Sequence, residues 1–166
     1  MKSNICIVSL DNNFTKNVAQ EFANATDMFY ANIEDMLEYA LTDVMQAQAI
    51  CGEEYVKKIE HNQIKNISNF DNTCICLNYT MLNDDVNYKS IAKKCVIVFI
   101  DFSLDTFKDM QVHTITNMHQ LDNDNLMFAT RKKLLKSYAD VVVHYIPGKS
   151  NLNKQIADKL YKYYKK

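Results

Sequence analysis

Glycine occurs only twice in the 166 residues, at Gly52 and Gly148, and proline once, at Pro147. Proteins that wrap main chain closely around a ligand's phosphates rely on glycine, because only a residue without a Cβ lets the backbone approach. Arginine is scarcer still: Arg131 stands alone among 19 basic residues, the other 18 being lysine. One side chain is therefore left to grip a carboxylate with a planar two-pronged fork. No sign of charge dominates, and a formal net charge of −1 gives no pull toward nucleic acid or a membrane surface. No run is long and apolar enough to cross a bilayer, and Ile5–Leu10 is too short for a signal peptide's core.

The five cysteines (Cys6, Cys51, Cys74, Cys76, Cys95) are odd in number, and most fall inside apolar runs. Cys74 and Cys76 flank Ile75 on a predicted strand and point to one face, but no second pair exists at metal-ligand spacing. The expectation is buried free thiols in a reducing, cytoplasmic setting, with no metal site. His113 and His119, six apart in a predicted loop, lack further ligands for a metal.

What the sequence does contain is alternation. At 48% apolar residues, the length suits one domain with a core closed between two or three layers. Short apolar runs alternate with helix-period segments, the mark of βαβ units and a parallel sheet. Strands are predicted at Asn4–Leu10, Met28–Tyr30, Asn72–Leu77, Val96–Ile100 and Val141–Tyr145. Helices are predicted from near Thr15, with Val18, Ala19, Phe22 and Ala23 on one stripe, and over 34–39, 43–51, 53–67, 84–94 and 126–138. Ser103 is set to cap a short helix to Asp109, and Ser150 a last one with Leu152, Ile156 and Leu160 inward. Gln111–Asn125 has no clear period and reads as a flap on a single domain spanning residues 1–166.

Specific words accompany this pattern. Gly52-Glu-Glu-Tyr-Val-Lys-Lys-Ile-Glu60 is similar to a G-E-x-x-F-R-x-x-E motif, Ala139-Asp140-Val141 to an A-D-x-x-V entering a final strand, and Arg131 precedes it where an arginine belongs. In this order the chain resembles the shikimate kinase family. The resemblance implies an α/β fold, a three-layer α/β/α sandwich whose five-stranded parallel sheet has the order 2-3-1-4-5. It also implies a loop of the form G-x-x-x-x-G-K-[ST] after the first strand, with ATP and magnesium as the kinase's cofactors.

Carried over position by position, most of that chemistry is missing. Without a gap, the two motif glycines fall at Ser9 and Phe14, the lysine at Thr15 and the magnesium-binding hydroxyl at Lys16. A shift of one restores Lys16 as the lysine but puts Thr15 at the second glycine and Asn17 at the hydroxyl. Ser9, Asn12, Asn13, Phe14, Thr15 and Lys16 thus read as a vestigial phosphate loop, with Asn12 and Asn13 the residues best able to take left-handed backbone. The family's D-x-D falls on Asn32 and Glu34, and its glycine triplet on Cys76–Met81, which has none. Its arginine-proline word in the flap has no counterpart in 111–125. Arg131 and Lys57 best retain the anion-binding role.

The expectation is a pseudoenzyme with no catalytic residues and no cofactor, binding a small carboxylate through Arg131, Glu34 and Lys57. Two alternatives stay open: a working kinase using ATP and magnesium through an unusual loop, and a structural subunit that meets a protein partner through Tyr161, Tyr163 and Tyr164.

Overall fold

The computed structural model describes residues 2–111, 118–149 and 151–165, with the backbone alone over 118–125. Five parallel strands, β1 (Asn4–Val8), β2 (Phe29–Asn32), β3 (Thr73–Cys76), β4 (Cys95–Asp101) and β5 (Val141–His144), form one sheet in the order β2-β3-β1-β4-β5. The order and central β1 are those the sequence predicts. Residues of the inner strands alternate between two apolar layers, so each strand reads as an unbroken hydrophobic run. Cys6, Val8, Ile75, Ile97 and Phe99 share one face with Ile64 of α4 (Glu53–Ser68), Ile91 of α6 (Asp85–Lys94) and Leu135 of α8 (Met118–Tyr138). Ile5, Ile7, Val96 and Val98 face the opposite way, onto Val18 and Phe22 of α1 (Asn12–Ala25) and Ile156 of α9 (Leu152–Tyr164). Between β2 and α4 lie α2 (Ile33–Leu41) and α3 (Val44–Cys51). Gly52, with φ +87°, divides α3 from α4 in a conformation that favours glycine.

Several boundaries depart from expectation, each for a local reason. α1 begins at Asn12, not near Thr15, because the Asp11 carboxylate accepts the Phe14 N–H at 2.7 Å and caps the helix three residues early. Asn12 and Asn13 are therefore helical, and no residue of this turn has a positive φ. β2 runs to Asn32, further than Met28–Tyr30, since Asn32 both ends the strand and caps α2 by accepting the Glu34 N–H. The flap expected over 111–125 is cut back at both ends. α7 (Leu104–Gln111) includes Gln111, and α8 starts at Met118, for the polar stretch contains neither proline nor glycine to stop a helix. Residues 112–117, with His113, lie outside the described residues. A short unforeseen helix, α5 (Tyr79–Leu82), is capped by Asn78, and α9 is capped by Asn151. Ser150, the expected cap, lies outside the described residues.

One buried polar residue ties the amino-terminal edge together. Asn4, 1% exposed, donates to the Ser68 and Phe70 carbonyls and accepts the Thr73 N–H at 3.0 Å, fixing the α4–β3 connection to the start of β1. Truncation would orphan two buried main-chain groups, the Ser68 carbonyl and the Thr73 N–H. Asn4→Ala is expected to lower unfolding free energy by about 1–3 kcal/mol, read as a reduced urea midpoint with an unchanged slope.

Candidate functional site

In an open parallel sheet, ligands sit beyond the carboxyl ends of the strands, where the chain order reverses. Here that place lies over β1 and its neighbours β3 and β4. The β1–α1 connection is three residues long, Ser9, Leu10 and Asp11. Asp11 is 7% exposed, and its two oxygens are both engaged: Oδ1 by Phe14 N–H and Oδ2 by Gln111 Nε2 at 2.9 Å. Ser9 Oγ and Thr15 Oγ1 lie 2.7 Å apart and reach the Asp11 carbonyl at 2.9 and 2.8 Å. The chain thus supplies its own carboxylate to the helix start, where main-chain N–H groups and the helix dipole favour an anion.

Phe14 turns its ring toward the far side of the sheet. It meets Phe102 edge-on with centroids 5.7 Å apart, and Tyr145 at 4.8 Å. Lys16 Nζ is 2.8 Å from Asp35 Oδ1, a half-exposed pair in which the hydrogen bond to Asp35 raises the ammonium's pKa. Of the six vestigial-loop residues, Ser9 alone lies in the connection; Asn12, Asn13, Phe14, Thr15 and Lys16 all belong to α1.

The three expected ligand residues are placed around α5. Glu34 Oε1 accepts from Asn78 Nδ2 at 2.7 Å and lies 3.5 Å from Asn12 Nδ2, so it bridges the carboxyl ends of β2 and β3 to the start of α1. The Arg131 guanidinium lies over the Tyr79 ring, 5.0 Å from its centroid. Lys57 pairs with Glu53 one helical turn away, at 3.1 Å, and lines a shallow cleft with Glu60, Thr80 and Asp84. Burial lifts the Glu60 carboxyl above its ordinary range, against the hydrogen bond it accepts from Asn87 at 2.6 Å. Lys57 therefore sits among acids.

A fourth cluster was not foreseen from sequence. Asp101, at the end of β4, has a side chain 3% exposed and is ion-paired with Lys132 and Lys136 of α8, the latter at 2.9 Å. His144 Nδ1, at the end of β5, is 3.1 Å away. Burial alone would raise the Asp101 carboxyl; the hydrogen bonds and charges of Lys132 and Lys136 outweigh it and hold the group below the usual carboxylate range. The available signal was the pairing of Lys132 with Lys136 on one helix face, four residues apart, opposite an acid ending an apolar strand.

Cys6, Cys74, Cys76 and Cys95 are buried free thiols and Cys51 is exposed. Burial pushes Cys74, Cys76 and Cys95 up to about 12, so they remain protonated core residues. Among the described residues no group of three or more His, Cys, Asp or Glu could hold a metal, and no helix is long and apolar enough to cross a membrane.

Sheet order and site position define a P-loop-type α/β fold of the small-molecule kinase class. The family model for shikimate kinase matches residues 16–165, and the chain belongs to that family. The match begins at Lys16, leaving β1 and the β1–α1 turn outside it. Shikimate kinase from Aquifex aeolicus vf5 superposes with a TM-score of 0.75 at 17% identity, over 95% of this chain and 96% of that one. The Bacteroides thetaiotaomicron shikimate kinase gives 0.75 at 12% identity, over 98% of each chain. That of Acinetobacter baumannii, solved in complex with shikimate, gives 0.71 at 11%, over 96% and 91%. At these identities the likeness is one of fold. No curated protein matches the chain in sequence.

The Asp101 cluster has a definite pH signature. Its folded pKa is depressed, so its stabilisation is complete above the unfolded value of about 3.9 and is lost as pH falls through the folded value. Asp101→Asn, which leaves the partly exposed Lys132 and Lys136 facing a neutral amide, is expected to cost about 1–3 kcal/mol at neutral pH. The difference from wild type should shrink below about pH 4, as measured by urea unfolding at neutral and acid pH.

Proposed function

We propose that this chain is a shikimate kinase family protein without phosphotransfer, a pseudoenzyme that binds a small carboxylate instead of converting it. The observation that carries this reading is the three-residue β1–α1 turn closed by Asp11. The family pattern spaces its two glycines five residues apart, so that converging main-chain N–H groups surround the phosphates. Here helix begins at Asn12, and a carboxylate already takes the Phe14 N–H. A nucleotide's phosphates would have to displace a buried negative charge, with Lys16 leaving Asp35 to help. Each 1.4 kcal/mol lost at this step is tenfold in affinity or rate. The alternative, an active kinase using ATP and magnesium, requires both rearrangements at once.

The carboxylate reading rests on Arg131. It is the single arginine, its guanidinium is already stacked on Tyr79, and a fork of that shape matches a carboxylate with two bonds. Glu34, through Asn78, and Lys57 bound the same short helix α5 from its other sides. Binding in place of turnover suits a regulatory role.

A coupled assay with shikimate, ATP and magnesium should show no phosphorylation above background; turnover near about 1 per second, the lower end of typical enzymes, overturns the reading. Thermal-shift screening of small carboxylic acids should find a stabilising ligand, by about 2.7 kcal/mol at a hundredfold excess over its dissociation constant. Arg131→Ala should abolish that shift and Lys16→Ala should leave it unchanged. The opposite pattern, or a shift with ATP that Lys16→Ala removes, places the ligand at the helix start.

A further inference from the structure

The net charge of −1 conceals a strong polarity. Residues 17–56 contain eight carboxylates and no lysine or arginine, whereas residues 131–166 contain ten cations and two carboxylates. The fold puts the centres of these stretches in different layers: α2 and α3 stand on the α4 side of the sheet, and α9 packs with α1 on the other. The α2–α3 surface and the outer face of α9 therefore lie on opposite sides of the sheet.

The acidic pole is also apolar. α3 is composed almost wholly of uncharged residues, yet none of its residues is buried. Met45 is 84% exposed and Ile50 73%, and Tyr39 of α2 is 93% exposed beside them in sequence. Glu38, Asp43 and Glu54 are exposed at its borders, with Glu53 paired to Lys57 at the start of α4. A helix earns its place in a small domain by burying one stripe, and large exposed apolar residues grouped with a charged rim mark an interaction surface. The basic pole carries the complementary chemistry. The outer face of α9 presents Lys154, Lys162 and Lys165 around Tyr161, which is 60% exposed, with Asp158 the one acid among them. Tyrosine with an apolar body and a polar tip suits an interface core, and the lysines suit a carboxylate rim.

We infer that the acid-rimmed α2–α3 surface docks the basic outer face of α9 from a second copy of this chain. The two surfaces differ, so the contact is head-to-tail and propagates as an open series or closes into a ring. Opposite charge sets the register and hastens encounter, and apolar burial of α3 holds the contact. This inference is independent of the carboxylate site, which lies at the carboxyl ends of the strands; ligand binding and self-association can fail separately.

Sedimentation equilibrium of the full chain over a range of protein concentration tests it. Species larger than a monomer are expected at low ionic strength, with association weakened at least about tenfold between about 0.02 and 0.5 M salt. Met45→Glu with Ile50→Glu disables the patch while keeping its charge sign, and Lys162→Glu with Lys165→Glu disables the tail. Each double variant alone should be monomeric, with a melting temperature close to wild type because all four positions are exposed. Mixed in equal amounts they should form a pair and stop there, since one good patch and one good tail remain. A monomeric wild type at low salt, a dimer unaffected by either double variant, or a mixture that stays monomeric overturns the proposal. A monomeric wild type whose patch instead binds a synthetic lysine–leucine amphipathic helix, and loses it in Met45→Glu/Ile50→Glu, overturns it in favour of a foreign basic partner.

Discussion

A strand-to-helix turn made without glycine constrains everything at the carboxyl end of this sheet. The first N–H groups of a helix have no partner within it and must find one elsewhere. In a phosphate-binding loop the ligand serves them; in this chain Asp11 does, while Ser9 and Thr15 lock the main chain behind it. Once Asp11 is fixed, α1 must start at Asn12, which throws Phe14 outward against Phe102 and Tyr145. The second oxygen of Asp11 holds Gln111, the last residue of α7. A single carboxylate therefore ties the end of β1 to α7, which follows β4.

The same self-sufficiency recurs around the sheet's carboxyl edge. Glu34 is taken by Asn78, Lys16 by Asp35, and Asp101 by Lys132 and Lys136. Sites built for chemistry keep some groups strained or unsatisfied so that a ligand completes them. Here the charged groups complete one another, in keeping with the proposed loss of phosphotransfer, although Asn12 Oδ1 is buried without a hydrogen-bond partner among the described residues. Arg131 also stands over the Tyr79 ring, a contact a guanidinium can retain while its edge meets a carboxylate.

The sheet was legible in sequence because buried parallel strands produce unmistakable apolar runs, and Val96–Ile100 and Ile5–Val8 do occupy its centre. Order followed from the resemblance carried by Gly52–Glu60 and Ala139–Val141, not from periodicity, which says nothing of which strands are neighbours. Helix starts were less legible. Asp11 and Asn151 cap through bonds to the third residue after them, and a sequence offering Asp, Asn and Ser side by side does not reveal which one turns inward. The Asp101 cluster escaped because ion pairing between a strand end and a helix some 30 positions later is a tertiary fact; neither partner is unusual alone. Lys57 was readable as a motif residue, but its acidic surroundings of Glu53, Glu60 and Asp84 come from α4 and the turn before α6 meeting in space.

The proposed loss of a glycine loop and the retention of the fold have a common physical direction. The core lies between the sheet and its helices and involves no residue of the β1–α1 turn beyond Leu10. Replacing a glycine by a residue that can adopt the local backbone stabilises by about 0.4–1 kcal/mol, because the unfolded chain has fewer states to lose. A turn redrawn to avoid positive φ removes the need for glycine altogether, and only Asp27, Thr42 and Asn72 among the described non-glycine residues have left-handed φ. None of them is near the site. Under the proposed loss of phosphotransfer, each such change is favoured by stability and opposed by nothing in the core. A chain with two glycines on an intact five-stranded sheet is the state toward which that drift runs.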